Sequence, residues 1–186
     1  DAALESGINR LSVGMQAAQP SLLSLLGRIH RNNQTEEAVK LARRAGIKNL
    51  NLDLMFGIPT QTMKDWEETL LAALSLSPEH ISAYGLIQEE GTPLDKKLKE
   101  GALRLPEPEE ERSMYYLLKK MLADRSFIHY EISNFARPGF ESRHNLKYWH
   151  CEEYLGFGPA AHSYFEGKRF YRPADWDAFL KDCKTV

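Results

Sequence analysis

Two stretches of this chain close on side chains able to hold a polar ligand. Ile8 to Gln16 alternates Leu11, Val13 and Met15 with Arg10, Ser12, Gly14 and Gln16. Leu50 to Phe56 alternates Leu50, Leu52, Leu54 and Phe56 with Asn51, Asp53 and Met55. The amide of Gln16 and the carboxylate of Asp53 lie at or near the ends of these polar series, where they can bind ribose hydroxyls or an ammonium group. A polar plug, or a buried ion pair between Asp53 and Arg10, is the plainer use of the same atoms. Arg28, in LLGRIH, offers a guanidinium that pairs bidentately with a carboxylate. A solvated charge complementing a helix C-terminus is the simpler role for it.

A second concentration of chemistry runs from Tyr130 to Ser163. HNLKYW puts the imidazole of His144, the amide of Asn145, the phenol of Tyr148 and the indole of Trp149 within one short run. Such a run is either an aromatic lid over the core or a seat for a flat, porphyrin-like ligand, stacked by Tyr148 or Trp149 and ligated by His144. GFGPAAHS, Gly156 to Ser163, lacks the glycine spacings of phosphate-binding loops and predicts a tight strand-to-helix turn. His162 at its end is a buried, hydrogen-bonded histidine or a ligand contact. His144, His150, Cys151 and His162 match no zinc-ligand spacing, so no metal held by this chain alone is expected.

Short strand-like runs joined by segments of helical spacing must position these residues, and that alternation predicts a parallel α/β architecture. With helices flanking both opening strands, the apolar faces pack under helices and the polar faces look into a barrel lumen, whose C-terminal strand ends are where barrel enzymes bind ligands. A crossover helix is expected from an N-cap at Asn33, with Glu36 three residues on and Gly46 as its stop. Another runs from Met63 to about Leu76, capped by Thr62. Ile81 to Ile87 reads as a third strand, in which Gly85 lets a backbone or ligand approach closely. Gly91 to Pro108 reads as loop, Glu109 to Ala123 as an amphipathic helix and Ile128 to Ser133 as a fourth strand. After Phe135 helical spacing disappears until Trp176 to Leu180. The expected division is therefore residues 1–135 and a glycine- and aromatic-rich part, 136–186.

A net charge of -2 with interspersed signs gives no footprint for nucleic acid or for a membrane surface. The two cysteines, Cys151 and Cys183, frame no disulfide scaffold, and no apolar run approaches the roughly 20 residues that span a bilayer. A cytoplasmic setting is expected. The chain opens on Asp1 rather than a methionine, with what reads as the end of a helix, so a piece of a longer protein is expected.

GINRLSVGMQ, LLGRIHR, NLDLMFGIPTQT, YEISNFARPG, HNLKYW and YLGFGPAAHS, in that order, resemble the radical SAM proteins related to oxygen-independent coproporphyrinogen III oxidase, and most of all their haem-chaperone branch. The resemblance runs from Gly7 to about Leu180. It implies part of a (β/α)6 partial TIM barrel binding S-adenosylmethionine (SAM) and a [4Fe-4S] cluster, followed by a C-terminal region that here breaks off after Cys183. It also implies SAM contacts at Gln16, Arg28 and Asp53, more weakly at Gly85 and His162, and haem contacts at His144, Asn145, Tyr148 and Trp149. The implied function is binding haem and delivering it to haem-dependent respiratory proteins. The alternative is conversion of coproporphyrinogen III to protoporphyrinogen IX. Two family features are missing, the CxxxCxxC loop that holds the cluster and the GGTP strand at the methionine end of SAM. The cluster ligands are accordingly expected upstream, and these residues are expected to be inactive alone.

Overall fold

The computed structural model describes residues 2–29 and 32–182, in two compact units, Asp1–Glu141 and Ser142–Val186. In the first unit the elements run α1 (Ala2–Glu5), β1 (Arg10–Gln16), α2 (Pro20–Leu25), α3 (Asn32–Arg44), β2 (Asn49–Phe56), α4 (Met63–Ser75), β3 (His80–Gly85), α5 (Pro93–Lys99), α6 (Pro108–Ala123), β4 (Ile128–His129) and β5 (Asn134–Ala136). The second holds α7 (Arg143–Trp149), β6 (His162–Phe165), β7 (Lys168–Tyr171) and α8 (Trp176–Asp182). Cys183 lies outside the described residues.

β1, β2 and β3 are parallel neighbours, and a β5–β4 pair continues the sheet antiparallel, in the order β1-β2-β3-β5-β4. In β2 the period-two pattern works as its residues demand. Leu50, Leu52 and Leu54 are fully buried under the helices with Trp66 and Leu70 of α4 and Leu118 of α6. Trp66 lies 5.6 Å from the Phe56 ring and donates its indole N–H to the Met114 carbonyl at 2.9 Å, so the largest core side chain leaves no polar atom unmet. Thr62 and Asp65 form a reciprocal capping box that starts α4. The crossover helix α3 begins at Asn32, so Asn33 lies inside it rather than capping it. It stops at Gly46 (φ 98°), where Ile47 N–H reaches back to the Ala42 carbonyl at 3.0 Å.

Three further expectations are corrected. Ile128 to Ser133 is not one strand: the ladder ends at His129 and resumes at Asn134 running the other way. The Glu131 side chain accepts from Ser133 N–H at 3.1 Å, and Tyr115 donates to the Ile132 carbonyl at 2.8 Å, fixing the reversal. The stretch from Gly91 to Pro108 contains α5, whose start is a Thr92 cap accepting from Asp95 N–H, with proline in the first turn. Helical structure also returns before Trp176, because Ser142 caps α7 by accepting from Asn145 N–H at 3.3 Å.

Candidate functional site

The polar face of the first sheet is a connected network. Ser12 of β1, Asn51 of β2 and His80 of β3 stand side by side across the strands, with Gly14, Asp53 and Ser82 forming the next row toward the C-terminal ends. Asn51, His80 and Ser82 are buried. Asn51 Nδ2 donates to Ser12 Oγ at 3.1 Å and to Asp53 Oδ1 at 2.8 Å. Its Oδ1 accepts from Ser82 at 3.2 Å and meets His80 Nδ1 at 2.7 Å, while His80 Nε2 meets the Tyr130 hydroxyl at 2.7 Å. Burial, and then the neighbouring Arg10 cation, push the His80 pKa down to about 3, so the ring is neutral at physiological pH. Arg10 donates from one nitrogen to Asn49 and to the Phe140 carbonyl, each at 3.0 Å. Burial lowers its own pKa, against the raising fields of Tyr130 and Asp53.

Gln16 ends β1 in a strained conformation. Its φ is 64°, Ala17 N–H bonds back to the Met15 carbonyl at 2.8 Å, and the β1–β2 register slips between Gly14 and Gln16. This is a three-residue turn of the rarer γ form, on a residue with a Cβ, and such strain persists where surrounding structure imposes it. A Cβ at Gly14 would meet Gln16 Nε2 at 2.9 Å, so the amide lies over Gly14, the β1 neighbour of Asp53. Gln16 and Asp53 therefore share one corner of the sheet. The ion pair between Asp53 and Arg10 does not form among the described residues: within hydrogen-bond reach Asp53 finds Asn51, and Arg10 acts on it only as a field.

The other residues singled out from the sequence lie elsewhere. Arg28 does not end a helix: α2 stops at Leu25, Gly27 (φ 69°) turns the chain, and Arg28 N–H caps the Leu23 carbonyl at 2.9 Å. Its exposed side chain borders a cleft of ≈ 520 Å³ with Ile87, Glu89, Thr92 and Lys97. Gly85 is opposite Phe56, on the helix-packed face, and a Cβ there would come 2.7 Å from Glu111 Oε1 and 3.4 Å from Phe56 Cζ. The close approach that this glycine permits is that of α6.

In the second unit, GFGPAAHS leads into a strand rather than a helix, and His162 opens β6, exposed, its ring 5.5 Å from that of Tyr171. On α7 the i,i+4 spacing brings His144 Nε2 to 3.1 Å from the Tyr148 hydroxyl, and Tyr148 meets the Tyr154 ring edge-on at 4.6 Å. The N–H of Asn145 serves the cap, and Trp149 is 54% exposed, so these aromatics do not cover a core. Among the described residues no three His, Cys, Asp or Glu side chains come together as a metal site.

Sequence reasoning missed His80, Tyr130 and Gln61. Gln61, buried after β2, accepts from Ile58 N–H at 3.2 Å and reaches the Met55 carbonyl at 3.4 Å, clamping the turn beyond Asp53. Only register reveals the first pair, since Tyr130 is 50 residues from His80.

The radical SAM superfamily model matches residues 1–73. The haem chaperone HemW of Bacillus subtilis is 44% identical over 165 residues, covering 89% of this chain and 44% of the relative. HemW of Synechocystis is 45% identical over 167 residues, covering 90% and 40%. The chain thus spans less than half the length of these relatives. Coproporphyrinogen III oxidase (HemN) from Escherichia coli, a radical SAM enzyme, superposes with a TM-score of 0.78 at 19% identity, covering 99% of this chain and 45% of that one. The mixed sheet with its parallel strands is that of the radical SAM fold; residues 1–73 match the radical SAM domain, and haem chaperones are among the chain's relatives.

Proposed function

We propose that these residues are part of a radical SAM protein that binds haem and hands it to haem-dependent proteins, respiratory enzymes among them. The observation that carries the reading is α7, where HNLKYW presents an imidazole, a phenol and an exposed indole instead of burying them. Relatives about 45% identical, named haem chaperones, support it. A planar porphyrin stacks on exposed aromatic faces and takes an imidazole as axial ligand, and His144, Tyr148 and Trp149 offer both. Asn145 holds the start of the helix that presents them.

SAM fits the corner at the ends of β1 and β2. Asp53 is a half-buried carboxylate with one hydrogen bond to it among the described residues, suited to hydroxyls or an ammonium group, and Gln16 is kept beside it at the expense of backbone strain. Arg28 on its own cleft, and Gly85 through its backbone, are the further contacts proposed. A [4Fe-4S] cluster needs cysteine thiolates beyond the two cysteines here, so its ligands are assigned to other parts of the protein. Bound SAM and cluster would supply the family's radical chemistry; these residues bind and orient the cofactor. The likeness to the oxidase is one of fold.

The test is haem titration of the full-length protein, followed at the Soret band, with His144→Ala and Tyr148→Ala. Both side chains are exposed, so the fold is expected to survive while haem binding and transfer to an acceptor fall. Binding and transfer equal to wild type would refute the assignment.

A further inference from the structure

We infer that Asn51, His80 and Tyr130 form a hydrogen-bonded relay whose task is to hold the Asp53 carboxylate in place at the ligand end of β2. The inference rests on the reading of Asp53 as a SAM contact and adds residues that this reading leaves unassigned. Its direction follows from donors and acceptors. Asp53 Oδ1 can only accept, so the atom of Asn51 facing it at 2.8 Å is the amide nitrogen, and the atom facing Ser82 and His80 is the amide oxygen. An oxygen at 2.7 Å from His80 Nδ1 requires a hydrogen on Nδ1. His80 Nε2 is then bare, and the Tyr130 hydroxyl must donate to it at 2.7 Å. Reversing the Asn51 amide would set its oxygen against the Asp53 carboxylate at 2.8 Å, two acceptors with no hydrogen between them. A single hydrogen pattern satisfies the chain from Tyr130 through His80 and Asn51 to Asp53.

The geometry is more than a plug filling the polar face. A plug closes on itself, whereas this chain delivers one N–H to one oxygen of a half-buried carboxylate. Register makes the delivery rigid, because Asn51 and His80 are direct neighbours in β2 and β3, and Tyr130 stands at the reversal between β4 and β5. His80 stays uncharged there, because burial and then Arg10 disfavour its cation, so its Nε2 remains an acceptor. These are positioning residues: they act on a ligand only through Asp53.

The experiment measures SAM binding to the full-length protein by equilibrium dialysis, with Trp66 fluorescence reporting the fold. Asp53→Asn is expected to lose most binding. His80→Leu and Asn51→Leu are expected to weaken it about tenfold, as the loss of one charge-assisted hydrogen bond implies. His80→Gln, whose amide can donate toward Asn51 and accept from Tyr130, is expected to restore wild-type affinity, a rescue that a purely structural role does not require. Tyr130→Phe keeps the ring and is expected to weaken binding about threefold, the effect of a neutral hydrogen bond; it decides the matter should the leucine variants not fold. Wild-type affinity in Tyr130→Phe and in any leucine variant that folds, beside an impaired Asp53→Asn, overturns the relay and leaves the SAM reading standing. Wild-type affinity in Asp53→Asn overturns both.

Discussion

Lowering the pH from 7.5 to 5 should destabilise the first unit through His80. The ring's pKa falls from its ordinary value of 6.5 to about 3 on folding, mainly by burial. An unfolded chain takes up a proton below 6.5 that the folded one refuses, so the contribution is fully present above 6.5 and is lost as pH falls toward 3. Each unit within that window is worth about 1.4 kcal/mol, so at pH 5, roughly 1.5 units below 6.5, the loss is about 2 kcal/mol. Carboxylates contribute little at that pH, and His80→Gln supplies the reference without a titrating group. Urea denaturation followed by the buried Trp66 at both pH values gives the difference: wild type should lose about 2 kcal/mol more than the variant. Equal losses, or an NMR titration placing the His80 pKa above 5, would refute the argument that burial keeps this ring neutral.

Gly14→Ala should leave the fold intact, because the atom in its way is the end of a side chain, Gln16 Nε2. Displacing that amide should lower SAM affinity of the full-length protein about tenfold, and unchanged affinity would remove Gln16 from the contact set. Gly85→Ala should cost at most about 1 kcal/mol in urea denaturation, because the atom it meets first, Glu111 Oε1, is the end of a flexible side chain that can move aside. Asp95 is held near pKa about 2 by Gln88, Gly91 and Lys99. The order it gives residues 88–99 should therefore persist above the ordinary carboxylate pKa and fade as pH falls toward 2. Hydrogen-exchange protection in that segment, taken relative to the intrinsic exchange rate at each pH, should follow this course in wild type and be lower, and flat with pH, in Asp95→Asn.

The alternation in β2 was legible because that strand has one apolar face under helices and one polar face, so period two survives in the sequence; β1 shows the same alternation, although its Leu11 is exposed. The corner shared by Gln16 and Asp53 was legible for the same reason, since both sit at or near the ends of the polar series. Ile128 to Ser133 misled because Ile and Tyr favour strands locally, while the reversal depends on bonds from Glu131 and Tyr115 that propensity does not contain. α7 escaped notice because a seven-residue helix with no buried residue leaves no apolar stripe to detect. Gly85 reads as a place where a backbone or ligand approaches closely, and its register beside Phe56 puts the Glu111 side chain of α6 against it.

The polar face can now be judged as plug or as site by asking which of its atoms remain unmet. Asn51 uses all its hydrogen-bonding directions and His80 both nitrogens, so these two are closed to any ligand. The side-chain oxygen of Asn134, buried on the same face opposite Ser82, is the one buried side-chain polar atom among the described residues without a partner. A buried acceptor without a donor costs about 1–3 kcal/mol. Together with the strain at Gln16, the face carries two unrelieved costs, one beside Ser82 and one at the end of β1, while Asp53, in the row of Ser82, keeps part of its carboxylate open. A finished plug would have relieved both. The arrangement fits a surface whose last donors and contacts come from what it binds, and the relay beneath Asp53 keeps that surface in register until they arrive.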